Sequence, residues 1–222
     1  KCALNVELWY EKDVYYEPQE ISLLYENGET KQMDRQEERF YCELDLPPGE
    51  YRYRFLIDGE LELVDPHNNL LESDEEGVLW SLVIINPAGK RLYNPDNYSL
   101  ELTKYDLCHH VSETAPSVQK KTFFRKRDRQ IVARLVFSHI TGLHLLTAAW
   151  YTPEGELYQY AENQLYEEKE ETVTLWFWLN LSETGMEQQG MWTLRVFLDG
   201  QFLLEDLFTV CSLQEQVLYQ QI

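Results

Sequence analysis

Gly49-Glu50-Tyr51-Arg52-Tyr53-Arg54-Phe55-Leu56-Ile57-Asp58-Gly59 alternates with a period of two. Tyr51, Tyr53, Phe55 and Ile57 fall on one side of an extended chain. Arg52, Arg54 and Asp58 fall on the other, with Leu56 the apolar exception. Successive side chains of a strand point to opposite faces, so the stretch predicts a strand with one buried face. Asp58-Gly59 tolerates positive φ at both positions and closes the strand in a two-residue hairpin turn. Working outward, strands are predicted over 3–10, 20–25, 40–46 and 78–85, separated by Asn27-Gly28, Pro47-Pro48-Gly49 and Asp65-Pro66. Short strands at this spacing predict a β-sandwich.

A gapless counterpart lies downstream. Gly190-Met191-Trp192-Thr193-Leu194-Arg195-Val196-Phe197-Leu198-Asp199-Gly200 repeats Gly, an aromatic, Arg, a branched aliphatic, Asp and Gly at the same offsets. Trp192, Leu194, Val196 and Leu198 take the inward positions. Further strands are predicted over 131–139, 145–151, 172–181, 192–198 and 202–210, with turns at Pro153-Glu154-Gly155 and Asp199-Gly200. Two readings stand: an internal repeat of two similar domains, or convergence on a common hairpin.

The expected organisation is a sandwich over 1–87, a partly ordered connector over 88–119, a second sandwich over 120–211 and a tail over 212–222. Tyr93, Tyr98, Leu100, Leu102, Tyr105 and Leu107 predict that part of the connector packs as an added strand. Leu213, Val217 and Leu218 predict a short helix in the tail.

The chain has 222 residues with 39 acidic against 19 basic side chains, a net charge of −20. Such a field repels phosphate backbones and anionic lipid, which excludes broad nucleic-acid or membrane-surface binding. Thirty aromatics and a 44% hydrophobic content indicate a packed core rather than disorder. No apolar run approaches the roughly 20 residues of a membrane span, so no membrane insertion is expected. Cys2, Cys42, Cys108 and Cys211 are far apart and form no CxxC pair. Four cysteines allow three pairings if oxidised, but free thiols in a reducing compartment are the simpler expectation for a chain of this length. Free thiols make the cytoplasm the expected localisation, an exported form staying open.

The run Phe40-Tyr41-Cys42-Glu43-Leu44-Asp45-Leu46-Pro47-Pro48-Gly49 through Gly59, followed by Asp65-Pro66, resembles the early-set, immunoglobulin-like glycogen-binding module. That module occurs in the AMP-activated kinase β subunit, in branching enzymes and in isoamylases. The resemblance spans about 40–86 and implies a non-catalytic sandwich that binds α-glucan, with Arg54 at the family's sugar-contacting lysine. It also implies Trp80 or Ser81 where the family's terminal strand carries a contacting asparagine. Leu61 stands where a sugar-stacking tryptophan is expected. Gly190, Trp192, Val196, Asp199, Gly200, Leu203, Phe208 and Val210 resemble a generic bacterial immunoglobulin-like module, which implies architecture alone. The expected fold is therefore all-β, two immunoglobulin-like, early-set-type sandwiches in tandem.

Little in the sequence carries catalysis. No nucleophile elbow, zinc-protease, P-loop or dinucleotide motif occurs, so no enzyme and no cofactor are expected. Cys108-His109-His110 lacks the paired spacing of a zinc site, and no metal is expected. His139 and His144 flank a predicted hairpin turn and are expected in solvent.

Two features remain. Lys120 to Arg134 holds seven basic residues and one acid, whereas 135–222 holds two basic and 13 acidic. Phe123 and Phe124 would anchor this strip, with Arg125 and Arg127, on an acidic partner; the alternative is internal pairing within the protein. Thr174-Leu175-Trp176-Phe177-Trp178-Leu179 is apolar on both faces, so one face must be either covered or exposed as a platform. Exposed, Trp176 and Trp178 would serve a carbohydrate or a protein partner. The leading functional expectation is a non-catalytic interaction or scaffold protein that binds a partner or itself, and the alternative is α-glucan binding.

Overall fold

The computed structural model describes residues 3–110, 119–167, 171–183 and 185–212. All regular structure among them is β, and both compact units are immunoglobulin-like sandwiches. One unit is Lys1–Asp96 with Phe197–Phe202, and the other is Asn97–Val196 with Leu203–Ile222. The helix expected through Leu213, Val217 and Leu218 lies outside the described residues, as does Cys2.

The first unit contains β1 (Leu4–Glu11), β2 (Ile21–Tyr25), β3 (Thr30–Gln32), β4 (Asp34–Arg35) and β5 (Arg39–Leu46). β6 (Gly49–Ile57), β7 (Leu61–Leu63), β8 (Leu71–Ser73), β9 (Leu79–Ile85) and β10 (Arg91–Leu92) follow. One sheet is ordered β1-β5-β4. The other runs β10-β9-β6-β2-β3, with β7 added to β6 and β8 to β9. Alternation fixes the register: Leu8 pairs with Cys42 and Tyr10 with Phe40 in one sheet, Leu23 with Phe55 in the other, and all six are buried. A one-residue slip would turn each set outward, so the pattern holds the pairing in place.

Asp58 adopts φ 51°, and its Oδ1 accepts the backbone N–H groups of Gln19 (2.8 Å) and Glu20 (2.9 Å), tying the β6 turn to the start of β2. Tyr53 Oη donates to Asp65 Oδ2 at 2.7 Å inside the core. Burial raises the Asp65 pKa despite this bond.

The second unit contains β11 (Ser99–Cys108), β12 (Thr122–Phe124), β13 (Gln130–Thr141) and β14 (His144–Tyr151). β15 (Leu157–Leu165), β16 (Thr172–Asn180) and, apart from the Phe197–Phe202 turn that belongs to the first unit, β17 (Gly190–Leu198) and β18 (Gln201–Cys211) complete it. Its sheets are β11-β13-β16 and β12-β18-β17-β14-β15. β11, drawn from the segment read as a connector, pairs antiparallel with β13. The core gathers around Phe208, with Trp150 edge-on at 5.9 Å and Trp192 stacked at 6.4 Å. The repeated hairpins carry the same turn: Asp199 also has φ 51°, followed by Gly200 at 82°.

Two expectations about side-chain placement are corrected. His144 is buried rather than solvent-exposed, because its Nε2 sits 2.9 Å from the Thr141 carbonyl oxygen and 3.2 Å from that of Ser99. Arg54, on the polar side of its strand, is buried as well, for reasons that belong to the site.

Candidate functional site

β6, β8 and β9 place Arg54, Trp80, Arg52 and Glu72 on the side of the large sheet opposite Tyr53 and Phe55. Arg54 is 2% exposed: Nε donates to the Leu79 carbonyl at 2.8 Å, and the guanidinium carbon lies 5.6 Å from the Trp80 ring centroid. Its Nη1 is 4.0 Å from Glu62 Oε1. Trp80 is 8% exposed and donates Nε1–H to Asp74 Oδ2 at 3.0 Å. Asp74 Oδ1 accepts the backbone N–H groups of Glu76 and Val78, both at 2.9 Å. The indole bond is the main reason the Asp74 carboxyl titrates below its ordinary value.

Arg54 and Trp80 thus form a closed cluster, and neither presents a face to a ligand. Leu61 is 1% exposed and offers no ring either. What this face does present is polar. Arg52 Nη2 binds Glu72 Oε1 at 2.6 Å and Nη1 reaches Glu26 at 3.4 Å.

The second unit brings its aromatic strand to an edge. Leu179 and Phe177 are buried, so Trp176, Trp178 and Asn180 alternate away from them on β16. Trp178 is 49% exposed, and it alone of the six tryptophans, all of them among the described residues, is an exposed one. β16 ends one sheet and β15 ends the other. Between them lies a cleft of about 290 Å³ lined by Gln159, Asn163, Trp176, Trp178, Asn180 and Glu183. Asn180 Oδ1 accepts from Gln130 Nε2 at 3.2 Å and its Nδ2 donates to Glu183 at 3.0 Å, which fixes the amide's orientation.

Sequence reasoning identified the two tryptophans but not Gln159 or Asn163. β15 reads Leu157-Tyr158-Gln159-Tyr160-Ala161-Glu162-Asn163-Gln164-Leu165, mixed on both faces as an edge strand is, and hydrophobic alternation gives no signal there.

Four of the seven cations of the basic strip, Lys120, Lys121, Arg125 and Arg134, pair with carboxylates of their own unit. Phe123, expected as a docking anchor, is wholly buried and meets Phe208 edge-on at 5.8 Å, because β12 pairs in parallel with β18 at the end of its sheet and turns this side chain into the core. Phe124 is half-buried in the same ladder. Lys120 Nζ binds Asp128 at 2.7 Å, and Lys121 binds Asp206. Arg125 lies 3.6 Å from Glu187 and donates Nε–H to the Leu181 carbonyl. Of the four residues expected to dock, Arg127 is the exposed one. Among the described residues no three His, Cys, Asp or Glu side chains are grouped to hold a metal.

The class defined by this architecture is a pair of immunoglobulin-like sandwiches. Residues 25–90 match the family model described as the glycogen recognition site of AMP-activated protein kinase, so the first domain resembles that module. No curated protein matches the chain. An immunoglobulin-like protein from Pseudomonas aeruginosa is 20% identical over 51% of this chain and 97% of its own, with a TM-score of 0.34. A maltogenic amylase from S. marinus is 15% identical over 93% of this chain, with a TM-score of 0.32, and this chain corresponds to 28% of its length.

Proposed function

We propose that the protein is a non-catalytic binding protein whose ligand is an α-glucan. The match of residues 25–90 to a glycogen-recognition family carries this reading. The acidic field agrees with it, since a neutral polysaccharide is a ligand that −20 net charge does not repel. The carboxylates on the first-domain sheet face are engaged with Arg52 and Trp80, a structural use of charge rather than a poised acid–base pair.

A cytoplasmic setting suits Cys42 and Cys108, which are buried free thiols. Burial is the main cause that pushes the Cys42 thiol up to about 11, which keeps it protonated and unreactive.

The reading is tested by affinity electrophoresis of the intact chain in gels holding glycogen or amylopectin, with reducing ends assayed in parallel. Retardation without release of reducing sugar is the expected result. Unchanged mobility in both polysaccharides overturns it.

Docking to a protein or to a second copy is the other reading, and one observation favours it. Val14 and Tyr15 are 93% and 79% exposed, side by side on the tight turn in which Asp13 and Tyr16 exchange backbone bonds. Two adjacent apolar side chains displayed on a turn suit an anchor better than a solvated loop. A concentration-dependent mass in sedimentation, abolished by Val14→Ser with Tyr15→Ser, is the outcome that would favour it.

A further inference from the structure

The first-domain face supplies hydrogen-bonding groups but no exposed ring, and the second unit supplies the ring. We propose that the cleft between β15 and β16 is a binding site for a neutral oligosaccharide, with Trp178 as its stacking platform. The proposal rests on the carbohydrate-binding reading of the protein and locates the ligand on the domain that the glycogen-recognition match does not cover.

The chemistry of the cleft is the argument. A sugar ring has an apolar face of C–H groups and an equator of hydroxyls. The C–H face, with its slight positive charge, suits the electron-rich plane of an indole. The hydroxyls suit groups that donate and accept together, and carboxamides do both. Trp178 supplies an accessible indole, and Gln159, Asn163 and Asn180 supply three carboxamides around the same cleft. The Gln159 and Asn163 amides have no hydrogen-bond partner among the described residues, whereas Asn180 is held by Gln130 and Glu183. One amide is thus fixed, and two are available to a ligand.

Charge selects within the sugars. Among the described residues Glu183 is the single charged one lining the cleft, and 135–222 carries two basic side chains against 13 acidic. Among the described lining residues a uronate or a sulfated glycan would meet like charge and no cation, which favours an uncharged ligand. The volume, about 290 Å³, lies at the lower end of small-molecule sites and suits a short length of glycan lying across two strand edges. Both sheets end here in a position their own strands fix, so the groups are held by sheet backbone rather than by a loop.

The test titrates the intact chain, and its Trp178→Ala, Trp178→Phe and Asn163→Ala variants, with maltoheptaose, cellohexaose, xylohexaose, laminarihexaose, mannohexaose and chitohexaose. Affinity is read by calorimetry, tryptophan emission is recorded on the same samples, and circular dichroism confirms folding. The proposal expects at least one sugar to bind, with the affinity lowered about tenfold or more by Trp178→Ala and largely kept by Trp178→Phe. Asn163→Ala weakens the same sugar. Bound sugar shields wild-type emission from acrylamide, an effect missing in Trp178→Ala.

Binding of maltoheptaose with this dependence upholds both the site and the α-glucan reading. Binding of another sugar with the same dependence upholds the site and overturns α-glucan as the ligand. Undiminished binding by Trp178→Ala overturns the site and leaves the α-glucan reading standing if maltoheptaose is what binds. No binding of any of the six sugars overturns the site.

Discussion

The guanidinium of Arg54 lies over the indole of Trp80, 5.6 Å from its centroid, and both side chains are buried. At the sequence level these are the residues most easily read as sugar contacts. Their pairing explains why they are not available as such. The guanidinium covers the ring, its Nε–H satisfies the Leu79 carbonyl, and the ring's own N–H is taken by Asp74.

Arg54→Ala therefore removes packing and a cation–π contact from the sheet face and strands the Leu79 carbonyl. The expected loss of stability is about 2–3 kcal/mol by urea unfolding. Arg54→Met, which keeps the stem, should lose clearly less. A free energy for Arg54→Ala equal to wild type would show that the cluster is not structural.

The Asp74 carboxylate favours the folded state through its bonds to Trp80, Glu76 and Val78. Its folded pKa is depressed, so the contribution is present above its ordinary value of 3.8 and is lost as pH falls through the lower folded value. Asp74→Asn should be less stable than wild type at pH 7, and the gap between the two melting temperatures should close on acidification below that point. A gap that stays constant down to pH 2.5 would contradict this.

Gly142 closes the β13–β14 hairpin with φ 78°, and a Cβ there would stand 2.0 Å from Cδ1 of Tyr98. Gly142→Ala combines a positive-φ cost of about 1 kcal/mol with the displaced ring, about 2–3 kcal/mol in all. In a Tyr98→Ala background the same substitution should cost only the backbone part, near 1 kcal/mol. An identical cost in both backgrounds would show that the ring is not what the glycine accommodates.

Asp128 takes Lys120 Nζ on one carboxylate oxygen and the Phe124 backbone N–H on the other, both at 2.7 Å. Its side chain is 4% exposed, so Asp128→Ala should cost about 2–3 kcal/mol, whereas Arg127→Glu at the exposed end should stay within about 0.5 kcal/mol. Equal effects of the two substitutions would mean the strip is not paired internally.

What could be read from the sequence divides along physical lines. β6 and β17 were legible because period-two alternation between a glycine and an Asp-Gly turn has no good helical alternative. The all-β, immunoglobulin-like class followed from them and holds. β3, β4, β8, β10 and β15 were not, since short or edge strands carry polar residues on both faces and leave no periodic trace.

Side-chain fates were harder than strands. Arg54 reads as a surface residue from its place in the alternation, and only the neighbouring strand reveals the indole that buries it. Phe123 reads as exposed because its neighbours are basic, yet the parallel pairing of β12 with β18 turns it into the core. In the candidate site the tryptophans were visible as residue types. Gln159 and Asn163 join them only through the meeting of two sheet edges, a relation no local pattern encodes.

The central claim is that this chain binds α-glucan without acting on it. The most direct measurement is a calorimetric titration of the intact protein with maltoheptaose. A saturable isotherm in the micromolar to millimolar range, with the sugar recovered unchanged, is the predicted result. Heats equal to dilution across that range, or recovery of shortened sugar, would contradict the account.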